Sequence, residues 1–176
     1  PSKEWTPELL LPYTYGDAAV FAPGTDLSYS NTNFLLVAMV MEAATGKSHA
    51  TLMREKILDP LNLNDTYYYW HEKMPDFVAQ GYYDLYNEGS IVNMTNFNTG
   101  SGNGYGGLYS TVHDMKIFIE ALVRDKTLLP ENRLAEMLEI TGENVAKHAA
   151  YGVSIRKDFL DRANTDEYAW GHRGRD

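Results

Sequence analysis

Tyr29, Ser30 and Asn31 make up the triplet of this 176-residue chain with the most chemistry in it. A Pro23-Gly24 turn leads into it, and a run with helical spacing of apolar residues leaves it. In an extended or loop segment, residues two apart point to one side, so a phenol and a carboxamide can converge on one point. A phenol serves as a base only if its pKa falls from about 10, and cationic neighbours bring that about by favouring the phenolate. Each residue also has a plainer use. Tyr29 is one of thirteen tyrosines and can be a ring at the rim of a core, while Asn31 can cap the helix that follows.

Other reactive side chains form weaker patterns. The five histidines, at 49, 71, 113, 148 and 172, have no metal-ligand spacing, and His71-Glu72 lacks the second His four residues after the first that a zinc helix needs. No metal and no cofactor are expected. The glycine-rich run at 100–107 invites a phosphate-binding reading, but no strand clearly feeds it and no Gly-Lys-Ser/Thr closes it. Conformational tolerance beside a cleft explains it better. The absence of cysteine excludes thiol catalysis, zinc fingers and iron–sulfur ligation.

The elements that must hold these groups can be read from periodicity and caps. A helix is predicted over 31–44, capped by Ser30 or Asn31, carrying Phe34, Leu35, Ala38 and Met41, and stopped by Gly46. A second begins after Ser48 and ends at Pro60, followed by a turn at 60–63. Aromatic and polar residues over 65–98 suggest short strands and loops. A third helix starts at Ser110 or Thr111 next to Asp114 and ends near Asp125. A fourth has Pro130 in its first turn, with Leu134, Met137 and Leu138 behind it. Strands are predicted over 151–155 and 168–170. The fold class is therefore α+β, read as one unit over 1–176, with a helical region at about 21–140 and the start of a sheet at about 150–176.

With 44% hydrophobic residues, a chain of this length can bury roughly 70% of its unfolded surface and needs no disulfide or metal to make a core. A net charge of -9 disfavours nucleic acid or an anionic membrane surface as the main partner. No apolar stretch approaches the roughly 20 residues of a membrane span. The chain opens on Pro1 and stops at Asp176 within a Gly-rich phrase, so it is expected to be part of a longer protein.

Several phrases, in order, resemble the serine β-lactamase and penicillin-binding superfamily, particularly its class C β-lactamase, DD-carboxypeptidase, D-aminopeptidase and esterase branch. Phe21-Ala22-Pro23-Gly24-Thr25 ahead of Tyr29-Ser30-Asn31 looks like the second motif of that family. Glu42 to Ser48 and Ile57 to Leu61 look like the helices behind it. Gly106-Gly107-Leu108-Tyr109-Ser110-Thr111 with Asp114 is similar to the phrase Gly-Gly-Leu-x-Ser-Thr-x-x-Asp. Gly171-His172-Arg173-Gly174 looks like the third motif in its His-x-Gly form.

The resemblance implies a β-lactamase/DD-peptidase-like fold, here incomplete, and acyl transfer by a serine in a Ser-x-x-Lys motif. Tyr29 would share the proton transfers and Asn31 would bind the substrate amide. His172 and Gly174 would line one wall, Gly106 and Gly107 would line substrate as well, and Arg173, alternating with His172 on a strand, would face away. The chain departs from the family at the nucleophile. Its one Ser-x-x-Lys, Ser154 to Lys157, follows Tyr29 and lies in a strand-like phrase, where residues three apart face opposite ways. These 176 residues are therefore expected to be inactive alone, with the missing N-terminal part of the same protein as partner. The implied substrate is a β-lactam, a D-amino-acid peptide or an ester, and the implied setting is extracytoplasmic. The tyrosines over 67–86 support a second reading, a non-catalytic module holding a peptidoglycan-like or peptide ligand.

Overall fold

The computed structural model describes residues 5–98, 100–140, 142–144, 149–160, 164 and 166–174. Their contacts gather into two compact units. One holds the residues up to Ala18 together with Ser30–Lys56 and Asn64–Ser110; the other holds Ala19–Tyr29, Ile57–Leu63 and the residues from Thr111 on.

In the first unit, a short α1 (Pro7–Leu10) runs into a 3-10 turn (Leu11–Thr14). Helix α2 (Asn31–Thr45) starts after an extended Ser30, at φ −147° and ψ 128°, and ends where Gly46 turns left-handed at φ 68°. Leu35 and Ala38 are its buried residues. Ser48 caps α3 (His49–Met53), its hydroxyl accepting from the Thr51 amide at 3.1 Å. The chain then continues through a π-helical turn (Arg54–Leu58) towards Pro60, as the sequence predicts. The aromatic stretch forms only two-residue strands. β1 (Tyr67–Tyr68) pairs antiparallel with β4 (Leu108–Tyr109), and β2 (Tyr82–Tyr83) pairs with β3 (Val92–Asn93).

In the second unit, Thr111 caps α4 (Val112–Ile119) by accepting from the Asp114 amide at 3.1 Å, and a π-helical turn (Glu120–Arg124) prolongs the helix. Pro130 proves to be the N-cap of α5 (Glu131–Leu138) and stands before its first turn; its carbonyl accepts from the amides of Arg133 and Leu134, both at 2.9 Å. A four-stranded antiparallel sheet follows in chain order: β5 (Gly142–Asn144), β6 (Ala149–Tyr151), β7 (Arg156–Phe159) and β8 (Tyr168–Gly171). Leu122, Leu134 and Ile155 form the buried core, with Phe118, Met137 and Trp170 packed against it.

The strand expected over 151–155 is instead a hairpin. β6 ends at Tyr151, which pairs with Arg156 across the turn, while the Gly152 amide donates to the Ile155 carbonyl at 2.9 Å and Ser154 takes a positive φ of 60°. The turn is pressed onto the end of α5: the Val153 amide donates to the Met137 carbonyl at 2.9 Å. A Cβ at Gly152 would lie 2.3 Å from that same carbonyl oxygen, so only glycine fits. Val153 and Ile155 have the β-propensity that suggests a strand, and the close approach at Gly152 overrides it. Among the described residues, no helix is long and apolar enough to cross a membrane.

Candidate functional site

β8 is an edge strand of its sheet and stops at Gly171, so His172 and Arg173 lie just beyond it and not on a strand. There the His172 ring meets Tyr29, with centroids 5.4 Å apart and planes tilted by 38°. The Tyr151 ring approaches His172 edge-on at 6.1 Å. His172 Nδ1 is 2.8 Å from the Arg173 carbonyl oxygen. A carbonyl only accepts, so Nδ1 carries the hydrogen and, in the neutral ring, Nε2 presents its lone pair. The second unit therefore brings together a half-exposed phenol and a histidine with an acceptor nitrogen.

Charge gathers on the sheet next to this pair. Asp158 Oδ1 accepts from the guanidinium groups of both Arg156 and Arg173, each at 2.8 Å. Arg156 also donates to the Tyr151 hydroxyl at 3.3 Å. Two guanidinium groups share one carboxylate, so this three-residue cluster carries a net positive charge. Arg173, expected to face away, is thus tied back to β7 by that carboxylate.

In the first unit, Asn31 is the first residue of α2 and not its cap; Ser30 holds that place. Asn31 lines an open cavity of ≈ 200 Å³ with Leu10, Leu11, Thr32, Leu35 and Tyr105. The glycine loop lies on the same helix. Gly104 has φ 99°, and a Cβ there would lie 2.7 Å from the Ala38 Cβ, so the backbone itself touches α2. The Gly107 carbonyl accepts from the Tyr69 amide at 2.8 Å, while a Cβ added at Gly106 would lie 3.5 Å from the Ser101 Cβ, an ordinary contact. Gly174 meets no such constraint: nothing lies within 4 Å of a Cβ built there.

Ser154 sits at the hairpin tip and Lys157 on β7, its ammonium 3.8 Å from the centroid of the Tyr168 ring. This replaces the strand-face argument from sequence with a turn. Among the described residues, no group of three or more His, Asp or Glu side chains could hold a metal ion.

Sequence reasoning passed over a buried polar cluster in the first unit. His49, 7% exposed, lies 2.5 Å through Nδ1 from Glu42 Oε1 and 2.9 Å through Nε2 from the Tyr68 hydroxyl. Burial works to raise the Glu42 carboxyl, but the backbone amide and ring of His49 prevail and hold it below the usual carboxylate range. Burial pushes the Tyr68 hydroxyl up to about 12, against a donating Gly104 amide. A Glu and a His seven residues apart and separated by a helix break show no motif, so no sequence signal marks the pair. Tyr151 was missed because its partner, His172, lies across two strands.

The Beta-lactamase family profile matches residues 3–175. Teichoic acid D-alanine hydrolase of Staphylococcus aureus is 33% identical over 136 residues, which is 77% of this chain and 34% of that protein. A D-stereospecific amidohydrolase from Streptomyces sp. superposes with a TM-score of 0.84 at 29% identity, over 96% of this chain and 49% of the other. D-amino acid amidase from Ochrobactrum anthropi SV3, in its complex with D-phenylalanine, gives 0.79 at 25% identity, over 98% and 51%. The chain thus spans a third to a half of the length of these relatives.

Proposed function

The chain belongs to the Beta-lactamase family, and from that premise we propose that it is part of a serine hydrolase that cleaves an amide or ester of a D-amino acid through an acyl-enzyme. The observation that carries this reading is the Tyr29–His172 pair, beside which Arg156 and Arg173 are gathered on Asp158. In the reaction, a serine oxygen attacks the carbonyl carbon, and the serine proton passes to Tyr29 in its phenolate form, which shares the proton transfers with the lysine of the Ser-x-x-Lys motif. The leaving amine or alcohol takes that proton as its bond to carbon breaks, and water then releases the acid from the serine. Asn31 is assigned to the substrate amide, and His172, Gly174, Gly106 and Gly107 are assigned to substrate contact. The names of the relatives, a teichoic acid D-alanine hydrolase, a D-stereospecific amidohydrolase and a D-amino acid amidase, favour a D-aminoacyl group over a β-lactam. The setting that this substrate asks for is extracytoplasmic.

The 176 residues place their one Ser-x-x-Lys in a hairpin, so the serine and its lysine come from residues other than these. A partner from the same protein also suits α2, which leaves Leu36, Val37, Val40 and Met41 exposed. The test is intact-mass spectrometry after treatment with a fluorophosphonate and with a labelled penicillin. The 19.9 kDa chain should remain unlabelled, while the longer protein that contains it should take one adduct on a serine outside these residues. A stoichiometric adduct on the 19.9 kDa chain would place the nucleophile within it and overturn the assignment.

A non-catalytic ligand-holding module is favoured by one observation: Tyr82, Tyr83 and Tyr86 are 59–72% exposed around the β2–β3 ribbon, where rings could stack on a sugar. Quenching of their fluorescence by a glycan, in a longer protein that takes no serine label, would select this reading.

A further inference from the structure

We propose that Glu42, His49 and Tyr68 form a positioning relay that sets the backbone of the glycine loop at residues 100–107, and through it the wall that Gly106 and Gly107 present to substrate. The second half of this statement rests on the hydrolase reading above; the first half does not. Glu42 lies in α2, His49 opens α3 and Tyr68 lies in β1, so the relay collects three elements of one unit at a single loop.

The direction of each hydrogen bond follows from the atoms. The Glu42 Oε1 atom accepts from the His49 backbone amide at 2.8 Å and faces Nδ1 at 2.5 Å, so Nδ1 carries the hydrogen. In the neutral ring, Nε2 then accepts from the Tyr68 hydroxyl at 2.9 Å. That hydroxyl in turn accepts from the Gly104 amide at 3.0 Å. His49 Nε2 also lies 3.2 Å from the Gly102 carbonyl, which can only accept, so a protonated ring donates there, whereas in the neutral ring the bonds run one way from a loop amide to the carboxylate. The loop is fixed twice more. His71 Nε2 lies 2.8 Å from the Gly102 carbonyl, which can only accept from it, and the His71 ring stacks on Tyr68 with centroids 4.7 Å apart. Tyr105, in the same loop, also acts on Tyr68.

A polar cluster of this kind is costly to bury, and an apolar replacement of similar volume is often neutral or better for stability. Here the whole chain of donors ends on one backbone amide of a loop that α2 accepts only as glycine. Tyr68, at 2% exposed, has its phenol deep in the unit and its oxygen on that amide. The relay therefore fixes a shape, and the shape is that of the segment leading into Gly106 and Gly107.

Amide hydrogen exchange on the 176-residue chain tests the first half. Tyr68→Phe removes only the hydroxyl, His49→Phe removes the ring nitrogens, and His49→Gln keeps a donor towards Glu42 and an acceptor towards Tyr68. With either Phe variant, the Gly104 amide should exchange roughly tenfold faster, the loss of about one hydrogen bond, while the amides of Leu35 and Ala38 keep their rates. His49→Gln should return Gly104 to within about threefold of the parent. Unchanged Gly104 protection in Tyr68→Phe, or equal acceleration in α2, overturns the relay. In the longer protein, with D-alanine p-nitroanilide as the probe, Tyr68→Phe should raise KM and leave kcat within about threefold. An unchanged KM overturns the link to substrate. Absence of turnover in the parent protein sinks the hydrolase reading alone, and the exchange data still decide the relay.

Discussion

Tyr29 lies at a loop end, half exposed, with a histidine ring against it. A phenol in that place can exchange protons with a substrate. Tyr29→Phe keeps the ring contact and removes the oxygen, so the rate of acylation in the longer protein should fall by roughly 10²-fold or more, read from the burst of released leaving group. A variant that acylates at the parent rate removes Tyr29 from the mechanism. Tyr29, Asn31, His172 and the Gly106-Gly107 pair stand out in the sequence because each belongs to a short phrase of fixed order, and of these the structure sets the rings of Tyr29 and His172 together. His49 and Tyr68 do not stand out, because their meaning lies in contacts 19 and 36 residues away along the chain. A buried histidine at a helix start looks, in sequence, like any residue after a serine cap.

Caps and stops were the legible part of the elements. Ser48 and Thr111 each accept a backbone amide three residues on, which the pattern of small hydroxyl residues before apolar runs announces. Ser48→Ala and Thr111→Ala should each cost about 1 kcal/mol, measured as a lower urea midpoint with an unchanged slope. The midpoint should hold if either hydroxyl is idle. The sheet was harder to read. Alternation in Tyr151-Gly152-Val153-Ser154-Ile155 suggests a strand, yet the chain reverses there because Gly152 seats against a helix carbonyl. Local pattern carries no information about a carbonyl in another element. The two-residue strands of the aromatic stretch were legible only as a type, since their partners, Leu108 with Tyr68 and Asn93 with Tyr82, are set by tertiary packing.

Across the whole molecule, an acidic chain with 24 Asp and Glu should lose stability on the acid side in a definite way. For both Glu42 and Glu72, burial works to raise the carboxyl. It is outweighed at Glu42 by the amide and ring of His49, and at Glu72 by the Arg54 guanidinium and the Tyr68 amide. Their folded pKa values lie below the unfolded value of about 4.3, so their contribution is fully present above that value and is lost as pH falls through the folded ones. Urea midpoints should therefore drop as pH goes below about 4.3, and Glu42→Gln together with Glu72→Gln should flatten the drop. An equally steep fall in the double variant would assign acid unfolding to other carboxylates. Periodicity and caps point to an α+β chain, and composition to one able to make its own core. The distribution of contacts into two units, with 19–29 and 57–63 grouped with the residues from Thr111 on, follows from packing between distant segments and leaves no trace in composition.

The seat of the β6–β7 turn on Met137 also bears on how this sequence can drift over evolutionary time. Positions 153 and 154 face solvent and are open to exchange, whereas 152 is closed to every residue with a side chain for as long as α5 ends where it does. A relative carrying a larger residue at 152 must therefore also have moved or shortened α5. The two changes are then inherited as a pair.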